Sequence, residues 1–125
     1  MEHLPDTLAQ QIAAGRLGAG SACLVVSGSG ASRASIEVIT AARDSGATVL
    51  LITSFPHSPA ARLADISLVV APISDSFSDE LVHTSRAALM LVVETVVSLL
   101  AARRGASARE AQAASLSAIS RSLSE

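Results

Sequence analysis

The stretch Ala22-Cys23-Leu24-Val25-Val26-Ser27-Gly28-Ser29-Gly30-Ala31-Ser32 decides the fold. Its first part, Ala22 to Ser27, is apolar without alternation, the pattern of a strand covered on both faces. A Gly/Ser turn follows at once. From Ser32 to Ser45 a helical pattern takes over, with Ile36, Ile39, Thr40 and Arg43 spaced by three or four residues and Gly46 as its stop. Strand, tight turn and helix in this order open an α/β fold.

Downstream, strands and helices continue to alternate, with no internal repeat in the sequence. Thr48 to Thr53 (Thr-Val-Leu-Leu-Ile-Thr) predicts a second buried strand. A loop with Pro56 and Pro59 leads into a short helix over 59–64, with Ser58 as N-cap and Pro59 at the first helical position. Ile66 to Ala71 predicts a third apolar strand, and Pro72 to Asp79 a polar loop. A long helix is expected from Asp79 to Arg104, ended by Gly105. Ser107-Ala108-Arg109-Glu110 has the form of a capping box and predicts a last helix carrying Leu116, Ile119 and Leu123. Upstream, Leu4, Leu8 and Ile12 mark one helical face, with Pro5 in its first turn and Gly15 at its end.

Helices alternating with strands imply a parallel sheet of about three strands with right-handed crossovers. Three parallel strands are few. The unalternating first strand predicts a central position, so a neighbour is expected from a partner chain or from a larger domain. The expected division is a domain over 1–105 and a helical tail over 106–125.

Bulk properties narrow the function. The chain has 125 residues, half of them hydrophobic, enough for one small domain with a core. Its net charge is −2 with no basic face or tail, so no direct nucleic-acid binding is expected. All nine cations are arginines, and without lysine neither Schiff-base chemistry nor a P-loop is possible. Cys23 stands alone and cannot form an internal disulfide. Met1-Glu2-His3 does not open a secretory signal, and the apolar run 87–102 falls short of the ~20 residues of a spanning helix. A cytoplasmic chain without membrane attachment is expected.

The turn Ser27 to Ser32 is the first chemical candidate. In open α/β sheets ligands bind beyond the carboxyl ends of the strands, where this turn lies. Free amides and the positive end of the following helix favour an anion there. Gly28 and Gly30 permit close backbone approach, and Ser27, Ser29 and Ser32 add hydroxyl donors suited to a phosphate. A dinucleotide fingerprint would want Gly or Ala at position 33 and an acid after the next strand; the residues are Arg33 and Ser54. A nucleophile elbow, Gly-x-Ser-x-Gly, would need Gly where Ser27 stands.

These residues carry a resemblance. Leu24 to Ser32 resembles the signature of the SIS (sugar isomerase) domain family, an apolar strand followed by Ser-x-Ser-Gly-x-Ser/Thr. Gly46 to Thr53 resembles the family's next strand. Ser58-Pro59 through Ala64-Asp65 resembles the stretch after it, with Ala60 where Leu is usual. The likeness runs from about Asp6 to Arg104. It implies a flavodoxin-like domain that binds phosphosugars, as a homodimer or larger oligomer, with Ser27, Gly28, Ser29, Gly30 and Ser32 around the phosphate and no cofactor. His83 to Leu89 is similar to the effector domains of RpiR-type transcription regulators, whereas Ser-Gly-Ser-Gly is similar to 6-phospho-3-hexuloisomerases. The family pattern also implies an earlier helix, strand and Gly-x-Gly-x-Ser turn, and Met1 falls near its middle. A fragment, truncated product or half domain is therefore expected.

Three functions follow as expectations: an effector-sensing domain for a phosphorylated sugar, a sugar-phosphate aldose–ketose isomerase, or a ligand-free dimerisation half domain. An isomerase would need a base, and Glu80 and His83 at the start of the long helix are the candidates. His57 stands in a loop at the strand ends, His3 near the terminus, and the three histidines lack metal spacing. Glu94, within the apolar helix, calls for a partner. Arg86 on roughly the same face is about 12 Å away, too far for a direct pair within the helix. Being apolar nearly all round, that helix is expected to pack against a second chain.

Overall fold

The computed structural model describes residues 6–71 and 86–123. It is an α/β structure with one parallel three-stranded sheet and flanking helices. The elements are α1 (Thr7–Ala14), β1 (Ala22–Val26), α2 (Arg33–Asp44), β2 (Thr48–Thr53), α3 (Pro59–Leu63), β3 (Ile66–Val69), α4 (Arg86–Arg104) and α5 (Ala106–Leu123). Glu80, His83, His3, Leu4 and Pro5 lie outside the described residues, as does the expected start of the long helix at Asp79.

Strand order is β1-β2-β3. Ala22 pairs with Thr48 and Val26 with Ile52; Leu50 pairs with Ile66 and Thr53 with Val69. β2 is thus the central strand, and among the described residues β1 is an edge. Its unalternating sequence does not give it two neighbours here.

The core lies between the sheet and α1, α2 and α3. Val25, Val49 and Leu51 from the sheet meet Ala14 of α1, Val38, Ile39 and Ala42 of α2, and Ala60 of α3. Alternate residues of β1 and β2 face this side, as the period of two requires. Asp65 fastens the start of β2 to β3. Its carboxylate accepts the Val49 amide at 2.8 Å, and its own amide donates to the Val49 carbonyl at 3.0 Å.

Three elements differ from what their sequences suggest. β3, although apolar in sequence, is exposed along its whole length, with Ile66 and Val69 about half accessible. In α1 the stripe Leu8–Ile12 is exposed, and Ala14 is the residue that enters the core. Asp6 caps that helix, its carboxylate accepting the amides of Leu8 and Ala9 at 3.4 Å each. The capping box at Ser107 is not used, because Ser107 already lies inside α5. Gly105, at φ +54, donates to the Ala101 carbonyl and accepts from the Arg109 amide, so one glycine ends α4 and caps α5.

The chain divides into two compact units, 1–89 and 90–125. In the second, Leu91, Leu99, Leu100, Leu116 and Ile119 are exposed, and so is Glu94. No helix among the described residues is long and apolar enough to cross a membrane.

Candidate functional site

β1 ends at Val26, and the ladder to β2 makes one more contact, Ser27 N–H to the Ile52 carbonyl at 2.9 Å. There the chain leaves the sheet. Gly30 N–H donates to the Ser27 carbonyl at 3.1 Å and closes a tight turn. Gly30 sits at φ +62, where an L side chain is strained. Space also demands glycine. A Cβ there would come within 2.1 Å of Ser58 Oγ and 2.6 Å of Ser58 Cβ.

The turn is polarised. Four of its six carbonyls, those of Ser27, Gly28, Gly30 and Ser32, already accept an N–H within the protein. The Gly28 carbonyl takes Ser54 N–H at 2.9 Å and the Thr53 hydroxyl at 3.1 Å. The Gly30 carbonyl takes Ala60 N–H at 2.9 Å, and that of Ser32 takes Ile36 N–H at 3.0 Å. In contrast, the amides of Ser29, Ser32, Arg33, Ala34 and Ser35 have no acceptor among the described residues. The last three are the orphan donors at the start of α2.

The hydroxyls complete this surface. Ser27 is buried, and its hydroxyl makes no hydrogen bond to another described residue. Ser29 Oγ accepts the Ala31 amide at 3.3 Å, leaving its proton to give outward. Ser32 holds the N-cap position of α2 with extended φ/ψ, yet its side chain does not cap the helix. The three serines expected at the turn thus lie between β1 and the N-terminus of α2, Ser27 buried, Ser29 half-buried and Ser32 exposed. Donors outnumber acceptors there, which suits a multiply charged oxyanion.

Around the turn, His57 is exposed in the β2–α3 loop. Arg33, at the first position of α2, is highly exposed and paired with Glu37 at 3.0 Å; Glu37 also takes the Gln11 amide group. Cys23 lies in β1, and burial pushes its thiol above the ordinary value. A shallow depression lined by Thr40, Arg43, Asp44 and Leu63 sits at the C-terminal end of α2, away from the turn. Among the described residues no cluster of three His, Cys, Asp or Glu side chains could hold a metal. Sequence reasoning missed Thr53, which reads as the last residue of an apolar strand. A hydroxyl at the carboxyl end of a central strand, beside a Gly-rich turn, was the signal.

Residues 6–102 match the SIS domain model. The chain belongs to the SIS domain family. It is 32% identical over 99 residues to an uncharacterized HTH-type transcriptional regulator of Caldanaerobacter subterraneus subsp. tengcongensis, a match covering 79% of this chain and 35% of the regulator. Among solved structures it is similar to Vibrio vulnificus NanR complexed with ManNAc-6P. The TM-score is 0.68 at 24% identity, covering 93% of this chain and 43% of that one. A crystal structure of a hypothetical protein matches with TM-score 0.53 and 20% identity over 72% of this chain and 53% of that one. At these identities the solved structures establish a shared SIS fold. The chain spans about a third of the regulator it matches and less than half of NanR.

Proposed function

We propose that this SIS domain binds a phosphorylated sugar at the Ser27–Ser32 turn, as the effector-sensing domain of an RpiR-type transcription regulator. The observation that carries this is the polarity of the turn: four of its six carbonyls are engaged within the protein, while amides and hydroxyls are left as donors. Ser27, Ser29 and Ser32 hold the phosphate oxygens, with the α2 amides behind them and Gly28 and Gly30 allowing the approach. The kinship to an HTH-type regulator supports the regulatory role, and NanR, of the same fold, carries ManNAc-6P. The turn itself contains hydroxyls and amides and no group that titrates near neutrality, which suits holding an effector rather than moving its protons.

The test is thermal unfolding of the full chain with ManNAc-6P, fructose 6-phosphate, glucose 6-phosphate and inorganic phosphate. A ligand at a hundred times its Kd stabilises the folded state by about 2.7 kcal/mol. One sugar phosphate is expected to raise the midpoint, and Ser29→Ala to remove most of the rise. No shift with any of them at millimolar concentration refutes the proposal and leaves a structural, dimer-forming role.

A further inference from the structure

We propose that Thr53, at the end of β2, is a positioning residue for the phosphate turn. This rests on the phosphate-binding function above and assigns to that site a residue that does not itself touch the ligand.

Thr53 is fully buried and its hydroxyl works in two directions. It donates to the Gly28 carbonyl at 3.1 Å and accepts the Phe55 amide at 3.3 Å. The first bond reaches into the turn; the second closes a local turn at the start of the β2–α3 loop. Ser54 N–H reaches the same Gly28 carbonyl, and two residues along the turn Ala60 N–H takes the Gly30 carbonyl. Ser58 and Thr53 together close the space beside Gly30.

These bonds decide which way the turn's peptide groups point. A peptide plane turns as one unit, so a carbonyl held toward β2 sends the N–H of the following residue the other way. Thr53 and Ser54 hold the Gly28 carbonyl inward and so aim the Ser29 amide outward. That amide is one of those left without an acceptor. If the Gly28 plane turned, its carbonyl would face a bound anion and repel it. Because Ser54 donates to the same oxygen, the turn keeps one anchor when the threonine hydroxyl is removed. Folding should survive the loss better than anion binding does.

The experiment compares the full-length wild type with Thr53→Val, which keeps the shape without the hydroxyl, and Thr53→Ser, which keeps the hydroxyl without the methyl. Affinity for ManNAc-6P, fructose 6-phosphate, glucose 6-phosphate and inorganic phosphate is read by calorimetry. Amide hydrogen exchange of Gly28 to Ser35 is read on the free proteins. Thr53→Val is expected to bind roughly tenfold more weakly, with faster exchange confined to the turn, and Thr53→Ser to recover most of the affinity. A merely structural role would lower both variants' midpoints without this serine rescue of affinity. If Thr53→Val does not fold, Thr53→Ser and Thr53→Ala are compared, and equal affinity in these two overturns the assignment. If the wild type binds and Thr53→Val binds equally well, Thr53 is not a positioning residue and the phosphate site stands. If the wild type binds none of the probes, the phosphate site falls, and the assignment with it.

Discussion

Gly30→Ala tests the packing of the turn directly. Two costs add. An L residue in the left-handed region costs about 1–2 kcal/mol, partly offset by about 0.4–1 kcal/mol from the lower entropy of the unfolded chain. The second cost is steric. Contacts of 2.1 and 2.6 Å to Ser58 cannot persist, so Ser58 must move. Ser58 is buried and caps α3, its Oγ accepting the Ala61 amide at 3.3 Å, and the next bond, from Ala60 to the Gly30 carbonyl, moves with it. Overpacking of this kind costs about 1–3 kcal/mol. Gly30→Ala should therefore destabilise by about 3 kcal/mol, a large share of the 5–15 kcal/mol of a typical domain. Gly18→Ala provides the internal control. Gly18 has φ +76 but nothing within 4 Å of its Cβ position, so backbone strain alone applies, about 1 kcal/mol. Urea unfolding followed by circular dichroism measures both. Adding Ser58→Gly to Gly30→Ala should recover about 1–2 kcal/mol as a coupling energy, since glycine still serves as an N-cap. Equal costs for the two glycines, with no coupling to Ser58, would refute the steric account of the turn.

Asp65→Ala should cost about 1–3 kcal/mol in urea unfolding, because it strips the acceptor from the amide of fully buried Val49; Asp65→Asn, which keeps an oxygen, should cost less. Glu37→Gln breaks the exposed pair with Arg33 and should leave stability within about 0.5 kcal/mol, a larger loss pointing instead to the Gln11 contact. Cys23 should react with a chromogenic disulfide reagent more slowly in the folded chain than in urea at pH 8. Because burial raises its folded pKa, the unfolded state releases the proton first as pH climbs past the ordinary value of 9.0. The thiol's contribution to stability is full below that pH and lost above it. Cys23→Ala should remove this slope, and an unchanged slope would show that other groups cause it.

The parts of the fold that were legible in the sequence are those fixed by local chemistry. The apolar runs 22–27 and 48–53 became β1 and β2, and Ser58-Pro59 opened α3 as a capped helix. What failed depended on neighbours. Ile66, Leu68 and Val69 make β3 apolar, yet it stands exposed, since composition does not say what packs on a strand. Leu8 and Ile12 made a helical stripe, and the small Ala14 took the core contact because α1 approaches α2 closely. The capping box failed because it needs a non-helical residue at Ser107, and Gly105 had already broken the chain two residues earlier. At the site the hydroxyls of Ser27, Ser29 and Ser32 were visible in the motif. Thr53 was not, because its bond to Gly28 comes from a strand register that joins residues 25 positions apart.

The polarity of the turn also sets what it is able to discriminate. Amides and serine hydroxyls recognise oxygens carrying negative charge, and every phosphate monoester presents the same oxygens. On the proposed function, such a cradle would supply affinity common to all phosphosugars and distinguish them from neutral sugars, but not from one another. Choosing among sugars needs groups placed to meet particular hydroxyls, where an unmatched hydrogen bond carries a large penalty. The Ser27–Ser32 turn has no such group beyond its own hydroxyls; exposed His57, in the β2–α3 loop at the same ends of the strands, carries that chemistry. Two kinds of variant should then separate. Ser29→Ala and Thr53→Val should weaken ManNAc-6P, fructose 6-phosphate and inorganic phosphate by similar factors. His57→Ala should leave inorganic phosphate unchanged and weaken one phosphosugar more than another. Calorimetry across the three ligands measures both patterns. A Ser29 effect confined to a single sugar would contradict a cradle built for the phosphate alone.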